Sequence, residues 1–348
     1  MRYKLFGGDS GLRVSEVSLG AGMFGTAWGH GAAAAEARRM FEGYAEAGGN
    51  FLDTADTYQH GESETLVGEF VAKEREDFVI ATKYSLGAMD APSVLTTGNS
   101  RRNMVRSLER SLRRLKTDYV DLYWVHMPDG VTGTEEILRG FDQLVRAGKV
   151  LYAGLSNFPA WRVAAASTMA ALRGWAPLAG VQVEYSLVER SADRDILPMA
   201  EAHRLGVTGW SPLGGGLLTG KYRRGEVGRA DTWKRLFHAE DSEQRRRILD
   251  ALEAVARETG GSPGQAALAW VSAKGVVPII GPRTREQLDD NLAATKRPLS
   301  AEQVRRLDDV SAIPLGYPHD FYQRFPSSWS GLAADRAELI EVPAGVVA

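Results

Sequence analysis

A chain of 348 residues with 44% hydrophobic and 25% charged side chains is long enough for one large domain or two ordinary ones. A formal charge of -2 provides no basic field for nucleic acid, and a chain without cysteine holds no disulfide, thiolate metal site or cysteine nucleophile. No apolar run approaches the ~18 residues of a membrane span, and the opening MRYKLFGGDSG lacks the apolar core of a signal peptide, so a cytoplasmic protein is expected.

The first predicted element is a hairpin. Tyr3 to Phe6 and Leu12 to Val17 flank GGDSG, a cluster of turn residues. A rhythm of short apolar runs follows: EVSLG, NFLDT, DFVIATK, DYVDLYWVH, VLYAGLS, LAGVQVEYS, GVTGWSP and GVVPIIG. They number about eight, the strand count of a TIM barrel. Between most of them lie helical patterns. Met104, Leu108, Leu112 and Leu115 recur at three- and four-residue spacing, and so do Ile137, Phe141, Leu144 and Val145 before Gly148. Strands apolar on both faces, alternating with helices, predict a parallel sheet built from βαβ units. No linker or change of composition divides the chain. The expected architecture is a single (β/α)8 barrel domain over residues 1–348, with an N-terminal β-hairpin. A long loop, residues 218–241, follows strand 7, and a C-terminal tail, 313–348, packs on the barrel.

Two glycine motifs resemble nucleotide-binding signatures without meeting their requirements. Gly20-Ala-Gly-Met-Phe-Gly25 matches GxGxxG, but helical pattern resumes only near Ala32, too late for the third glycine to open a helix. It reads as a βα loop whose backbone approaches a ligand. Gly215 to Lys221 resembles a P-loop, but Tyr222 stands where a Ser or Thr should reach Mg²⁺. Glycine-rich backbone beside a lysine still suits an anion.

In a β/α barrel, side chains at the C-terminal ends of the strands converge on one mouth. The polar residues there are Asp53 and Tyr58, Lys83, His126, Ser156 and Asn157, Gln182, Glu184 and Tyr185, then Trp210 and Ser211. A tyrosine of pKa ~10 is a poor acid at neutral pH, and a nearby ammonium favours its phenolate. Lys83 supplies such an ammonium, Asp53 its counter-charge, and a neutral His126 a hydrogen bond to a substrate carbonyl. This set delivers a proton to an oxygen becoming an alkoxide and offers no hydride, so a cofactor must.

These residues resemble the aldo-keto reductase family from the hairpin to about Val310. FLDTADTYQHGESE, VIATK and DLYWVHMPD carry the resemblance of the catalytic residues. GLSNF, QVEYS, GWSPLGGGLLTGKY and IIGPRTREQLDDNL carry that of the cofactor segments. The resemblance implies a (β/α)8 barrel, NADP(H) bound across the mouth, and a catalytic tetrad of Asp53, Tyr58, Lys83 and His126. Tyr58 would be the general acid in reduction and the base in oxidation. Ser156, Asn157 and Gln182 would hold the nicotinamide amide, and Trp210 would stack on its ring where the family often has tyrosine. Gly22, Met23, Ser211, Pro212, Leu213, Gly215 and Lys221 fall in the other cofactor segments. Glu62 and Glu64 are expected to belong to the next helix turn.

Barrel phosphate sites favour the loops after strands seven and eight. Thr284-Arg-Glu-Gln287 reads as a capping box opening a helix, whose free N–H groups attract an anion. Arg283 and Arg285 flank that start and suit a 2′-phosphate, which favours NADPH over NADH. Gly281 stands where the family often has a lysine, Asp290 and Asn291 lie where it reads adenine, and Gln287 is expected to bind the cofactor. On the substrate side, Met23, Phe24, Trp28, Met127, Trp233 and Phe237 predict an apolar lip for an aldehyde or ketone on an apolar or aromatic body. The expected protein is an NADPH-dependent carbonyl reductase, with a small molecule as its partner and neither nucleic acid nor membrane. Two other classes are compatible with the residues: a lyase forming a Schiff base on Lys83, and a non-catalytic nicotinamide-binding redox sensor.

Overall fold

The computed structural model describes residues 1–87, 92–226 and 238–324. The hairpin is β1 (Tyr3–Leu5) and β2 (Arg13–Ser15), antiparallel with Lys4 opposite Val14. Eight further strands close a parallel barrel: β3 (Ser18–Gly20), β4 (Phe51–Asp53), β5 (Val79–Tyr84), β6 (Val120–Val125), β7 (Val150–Ser156), β8 (Leu178–Glu184), β9 (Gly206–Trp210) and β10 (Val277–Ile280). Each of the eight apolar runs supplies one of them. They pair in chain order, and β10 returns to β3 through Ile279 opposite Ser18. Most positions in these strands are buried because one face fills the barrel and the other receives the helices.

The helical patterns hold. In α3 (Arg101–Leu115), Met104, Leu108, Leu112 and Leu115 are buried, and the Ser100 hydroxyl caps the start by accepting from Asn103 N–H. In α4 (Thr134–Arg146), Ile137, Phe141 and Leu144 are buried, while Val145 is half-buried at the stripe's edge. Full burial of a side chain such as Phe141 contributes roughly 1.5–3 kcal/mol. Two further helices are α1 (Ala34–Glu46) and α2 (Glu62–Val71).

The hairpin decides which end of the barrel is open. Phe6, just past β1, is fully buried, edge-on to Phe51 at 5.7 Å and to Trp124 at 6.3 Å. A β-carbon on Gly180 or Gly206 would come within 2.8 Å of its ring, so those glycines leave the room it fills. The plug seals the end where the strands begin. Chemistry is left to the other end, where Asp53, Ser156 and Trp210 finish their strands.

At the C-terminus, Gln244 donates to the Ala312 carbonyl at 2.8 Å and Arg194 to that of Pro314 at 3.2 Å. The expected tail packing beyond residue 324 lies outside the described residues, as does residues 227–237 of the long loop. Among the described residues, no helix is long and apolar enough to cross a membrane.

Candidate active site

Asp53 ends β4 and Lys83 lies one residue from the end of β5, in neighbouring strands. Parallel pairing therefore brings them together at the rim. The Lys83 ammonium is wholly buried and has three acceptors: Asp53 Oδ1, the Thr54 carbonyl at 2.8 Å and the Tyr58 hydroxyl oxygen at 3.3 Å. Burial alone would push this lysine's pKa down, but the Asp53 carboxylate and then the Tyr58 phenol more than offset it and hold the ammonium above its ordinary value. Gln182, on β8 across the barrel, donates to Asp53 Oδ2 at 2.9 Å, so both carboxylate oxygens are satisfied.

His126 follows β6 and meets the Tyr58 ring edge-on at 5.8 Å. Its pKa is lowered to about 3, first by burial and then by the Lys83 ammonium, so the imidazole is neutral at any working pH. Its Nδ1 has no partner among the described residues. Asn157 locks the next strand ends together: its amide donates to the His126 carbonyl at 2.9 Å and accepts from the Trp210 indole at 3.0 Å. Asn157 and Ser211 adopt left-handed backbone, with φ of 60° and 55°, which non-glycine residues hold only where the surroundings demand it.

A cleft of about 680 Å³ runs from this rim across the barrel mouth. Asp53, Tyr58 and His126 line it with Met127, Asn157, Gln182 and Trp210. Gly22, Met23 and Trp28 form its lip on the loop after β3. Ser211, Pro212, Leu213, Gly215 and Lys221 line its middle, and Gly281, Arg283, Gln287 and Asn291 its far end. Glycines and charged residues both line this cleft. At its far end α9 (Arg285–Ala293) opens with the Thr284 hydroxyl accepting from Gln287 N–H.

Several expectations are corrected. Phe24 is fully buried and packs on Phe70 in the core, not on the lip, because the loop turns inward after Met23. Ser156 is fully buried and is not on the cleft wall; its hydroxyl accepts from the Asn157 amide at 3.0 Å. Lys83 lies behind Tyr58 and likewise does not line the cleft. The capping box is half formed, since Gln287 Oε1 accepts from Arg283 N–H at 2.9 Å and not from Thr284. Arg285 faces α1, bonded to Asp289 at 2.9 Å and to the Arg39 carbonyl at 3.2 Å, and is unavailable to a phosphate. Arg283 makes no ion pair among the described residues. Asp290 is taken up by Gln265 at 2.6 Å and Ser262 at 3.2 Å. Trp233 and Phe237 lie outside the described residues.

The stretch FLDTADTYQHGESE also holds residues that pattern did not single out. Gln59 and His60 follow Tyr58 with φ of 49° and 53°. Two successive left-handed residues of this kind cost about 1–3 kcal/mol each. Glu64 opens α2 as expected but is wholly buried, accepting from Thr82 and from Arg114 Nε at 2.7 Å. Asp56 is buried beside it, with Oδ1 unpartnered among the described residues. No periodicity marks these residues, because what buries them lies on other strands and helices.

Burial, and then the Glu64 carboxylate, push the Asp56 carboxyl up to about 8 against the pull of Arg114. The folded state thus keeps a proton that an unfolded carboxyl loses near ~3.9. The associated stability is fully present below that value and is lost as pH rises toward about 8. Asp56→Asn should therefore be more stable than the parent at alkaline pH, and the two should match only below about pH 4. Urea unfolding at both pH values checks this; an unchanged pH slope in the variant would assign the proton elsewhere.

The fold and rim together define a β/α barrel in which a buried, hydrogen-bonded Gln182–Asp53–Lys83–Tyr58 chain stands beside a cleft at the mouth. Comparison with known proteins is specific: the aldo/keto reductase family model matches residues 16–312, and the chain belongs to that family. It is 34% identical to norsolorinic acid reductase of Aspergillus flavus over 93% of this chain and 85% of that one. It is 36% identical to the aryl-alcohol dehydrogenase [NADP(+)] of Phanerodontia chrysosporium, covering 91% and 88%. With the uncharacterized oxidoreductase YrpG of Bacillus subtilis it shares 38% over 90% and 98%. The protein is accordingly an oxidoreductase of small carbonyl compounds, of a family that uses nicotinamide cofactors.

Proposed function

We propose that this protein is an NADP(H)-dependent reductase of aldehydes and ketones carried on an apolar or aromatic body, with Tyr58 as the general acid. The observation that carries this reading is the three-point seat of the Lys83 ammonium, which places a fixed positive charge 3.3 Å from the Tyr58 oxygen. A substrate carbonyl oxygen held between Tyr58 and neutral His126 receives a proton from the phenol as negative charge develops on it. The ammonium stabilises the phenolate left behind, and Asp53, itself fixed by Gln182, keeps the ammonium in place. The nicotinamide, when bound, supplies the hydride to the carbonyl carbon. Trp210, Asn157 and Gln182, which line the cleft together, would hold the nicotinamide, Trp210 through its π face.

The name of the Phanerodontia relative supports NADP, and the unpaired Arg283 beside the start of α9 supports a 2′-phosphate there. Arg283→Ala should weaken NADPH binding about 10–100-fold, the weight of a charge-assisted contact, and leave NADH nearly unchanged. Titration of tryptophan fluorescence with each cofactor measures both. Equal weakening would place the phosphate elsewhere.

A Schiff-base lyase is disfavoured: Lys83 is charged, has all three hydrogens engaged and is screened from the cleft by Tyr58. A panel of carbonyl compounds scored by loss of NADPH absorbance tests the function directly. Turnover of none of them, with NADPH still bound, would favour a redox-sensing module.

A further inference from the structure

The loop after β3 forms one wall of the cleft mouth through Gly22, Met23 and Trp28. Three consecutive backbone N–H groups of this loop find side-chain acceptors from one short segment. Thr26 and Ala27 donate to Glu62 Oε2 at 2.8 and 3.1 Å, and Trp28 donates to Gln59 Oε1 at 2.8 Å. The Gln59 amide nitrogen donates in turn to the carbonyls of His30 at 3.0 Å and Gly22 at 3.4 Å. One fully buried amide thus spans three points of the wall. The loop's sequence accommodates both anchors: a β-carbon on Gly31 would lie 3.0 Å from Gln59 Nε2, and one on Gly25 would lie 2.5 Å from Glu62 Oε2.

Gln59 is also bonded covalently to Tyr58. The Tyr58 ring lies 3.5 Å from where a β-carbon on Gly22 would sit and meets Trp28 edge-on at 6.1 Å. Trp28 in turn approaches His60 at 6.4 Å. The left-handed backbone at Gln59 directs its side chain under the loop while Tyr58 faces the cleft. An amide suits the place, because it offers an acceptor to an N–H and donors to carbonyls while adding no charge beside the Lys83–Tyr58 pair.

We infer that Gln59 is a positioning and specificity-determining residue. Its amide, with Glu62 as a second anchor, holds the Trp28 wall at a fixed distance from Tyr58 and so selects carbonyl compounds with a flat aryl body. This rests on the reductase reading above. A wall already fixed loses no freedom when a rigid ring stacks against it, whereas a loose one must be ordered by the substrate. A small aliphatic aldehyde that leaves the wall untouched gains nothing from the strap.

The test compares the parent, Gln59→Leu and Glu62→Ala with benzaldehyde and with propanal, following NADPH oxidation. Amide hydrogen exchange at residues 26–28 is measured on the protein alone. Gln59→Leu should raise the KM for benzaldehyde about tenfold, leave kcat for both aldehydes and the KM for propanal unchanged, and speed exchange at Trp28. Glu62→Ala, whose carboxylate is only half-buried, should act in the same direction with a smaller effect and faster exchange at Thr26 and Ala27. It carries the same contrast if Gln59→Leu does not fold. An equal loss of kcat with both aldehydes would overturn the proposal, since Gln59 would then act on Tyr58 alone. An unchanged benzaldehyde KM despite faster exchange would overturn it too. A parent inactive toward every carbonyl would remove the reductase reading, yet exchange would still judge the strap: amides at 26–28 exchanging as in an unstructured peptide would show that it does not exist.

Discussion

Tyr58→Phe is expected to lower turnover about 10²–10⁴-fold, the weight of a general acid, while NADPH affinity stays at the parent value. That corresponds to ~3–5 kcal/mol of barrier. The substitution removes one oxygen and keeps the ring, so the edge contacts with Trp28 and His126 remain. Lys83 retains Asp53 and the Thr54 carbonyl as acceptors, and the buried seat does not collapse. Steady-state rates and a fluorescence titration of NADPH on the same preparation separate the two quantities. Near-normal turnover would take the proton-donor role from Tyr58. A parallel loss of cofactor affinity would mean that the hydroxyl matters to binding and not to the chemical step.

Lys83→Met should cost stability as well as activity. The side chain it replaces is fully buried, and Asp53, 2% exposed, would keep, among the described residues, only the Gln182 amide as a partner. Removing one member of a buried ion pair typically costs about 3–5 kcal/mol, because the other charge remains desolvated and uncompensated. Adding Asp53→Asn removes that charge, so the double variant Lys83→Met/Asp53→Asn should recover most of the loss. Turnover should recover in neither, since no ammonium then faces the Tyr58 oxygen. Chemical denaturation of the parent, single and double variants reads the first effect, and the aldehyde assay reads the second. A single variant as stable as the parent would show that the pair contributes nothing to the fold. A double variant with restored turnover would exclude the ammonium from the mechanism.

Both predictions concern residues that the sequence made conspicuous. Their strands are short, apolar on both faces and separated by helical stripes such as Met104, Leu108, Leu112 and Leu115. That pattern specifies a parallel barrel, and a parallel barrel delivers the last polar residue of each strand to one rim. Asp53, Lys83 and His126 were legible for that reason, and Tyr58 through the segment that follows β4. So were the segments after β9 and β10, whose glycines and helix start suit an anion.

Other residues depended on packing that local pattern does not encode. Phe24 looked like lip and proved to be core, because alternation of polar and apolar residues does not say which way an irregular loop turns. Arg283 and Arg285 are two positions apart, yet one stays on the cleft wall while α1 captures the other through Glu36 and the Arg39 carbonyl. Gln59, Glu62, Asp56 and Glu64 sit in a stretch whose polarity suits any loop; Gln59, Glu62 and Glu64 acquire their roles from partners distant in the chain, and Asp56 from its burial beside Glu64.

The sequence by itself determined the barrel and the end-of-strand chemistry, because these follow from periodicity and from residues at strand termini, and it carried the family through the resemblance of its ordered motifs. Only the tertiary structure decided which polar groups are buried and paired, which arginine remains available and how the loop after β3 is anchored. Those outcomes depend on distances between segments far apart along the chain, and burial makes a wrong partner there cost several kcal/mol.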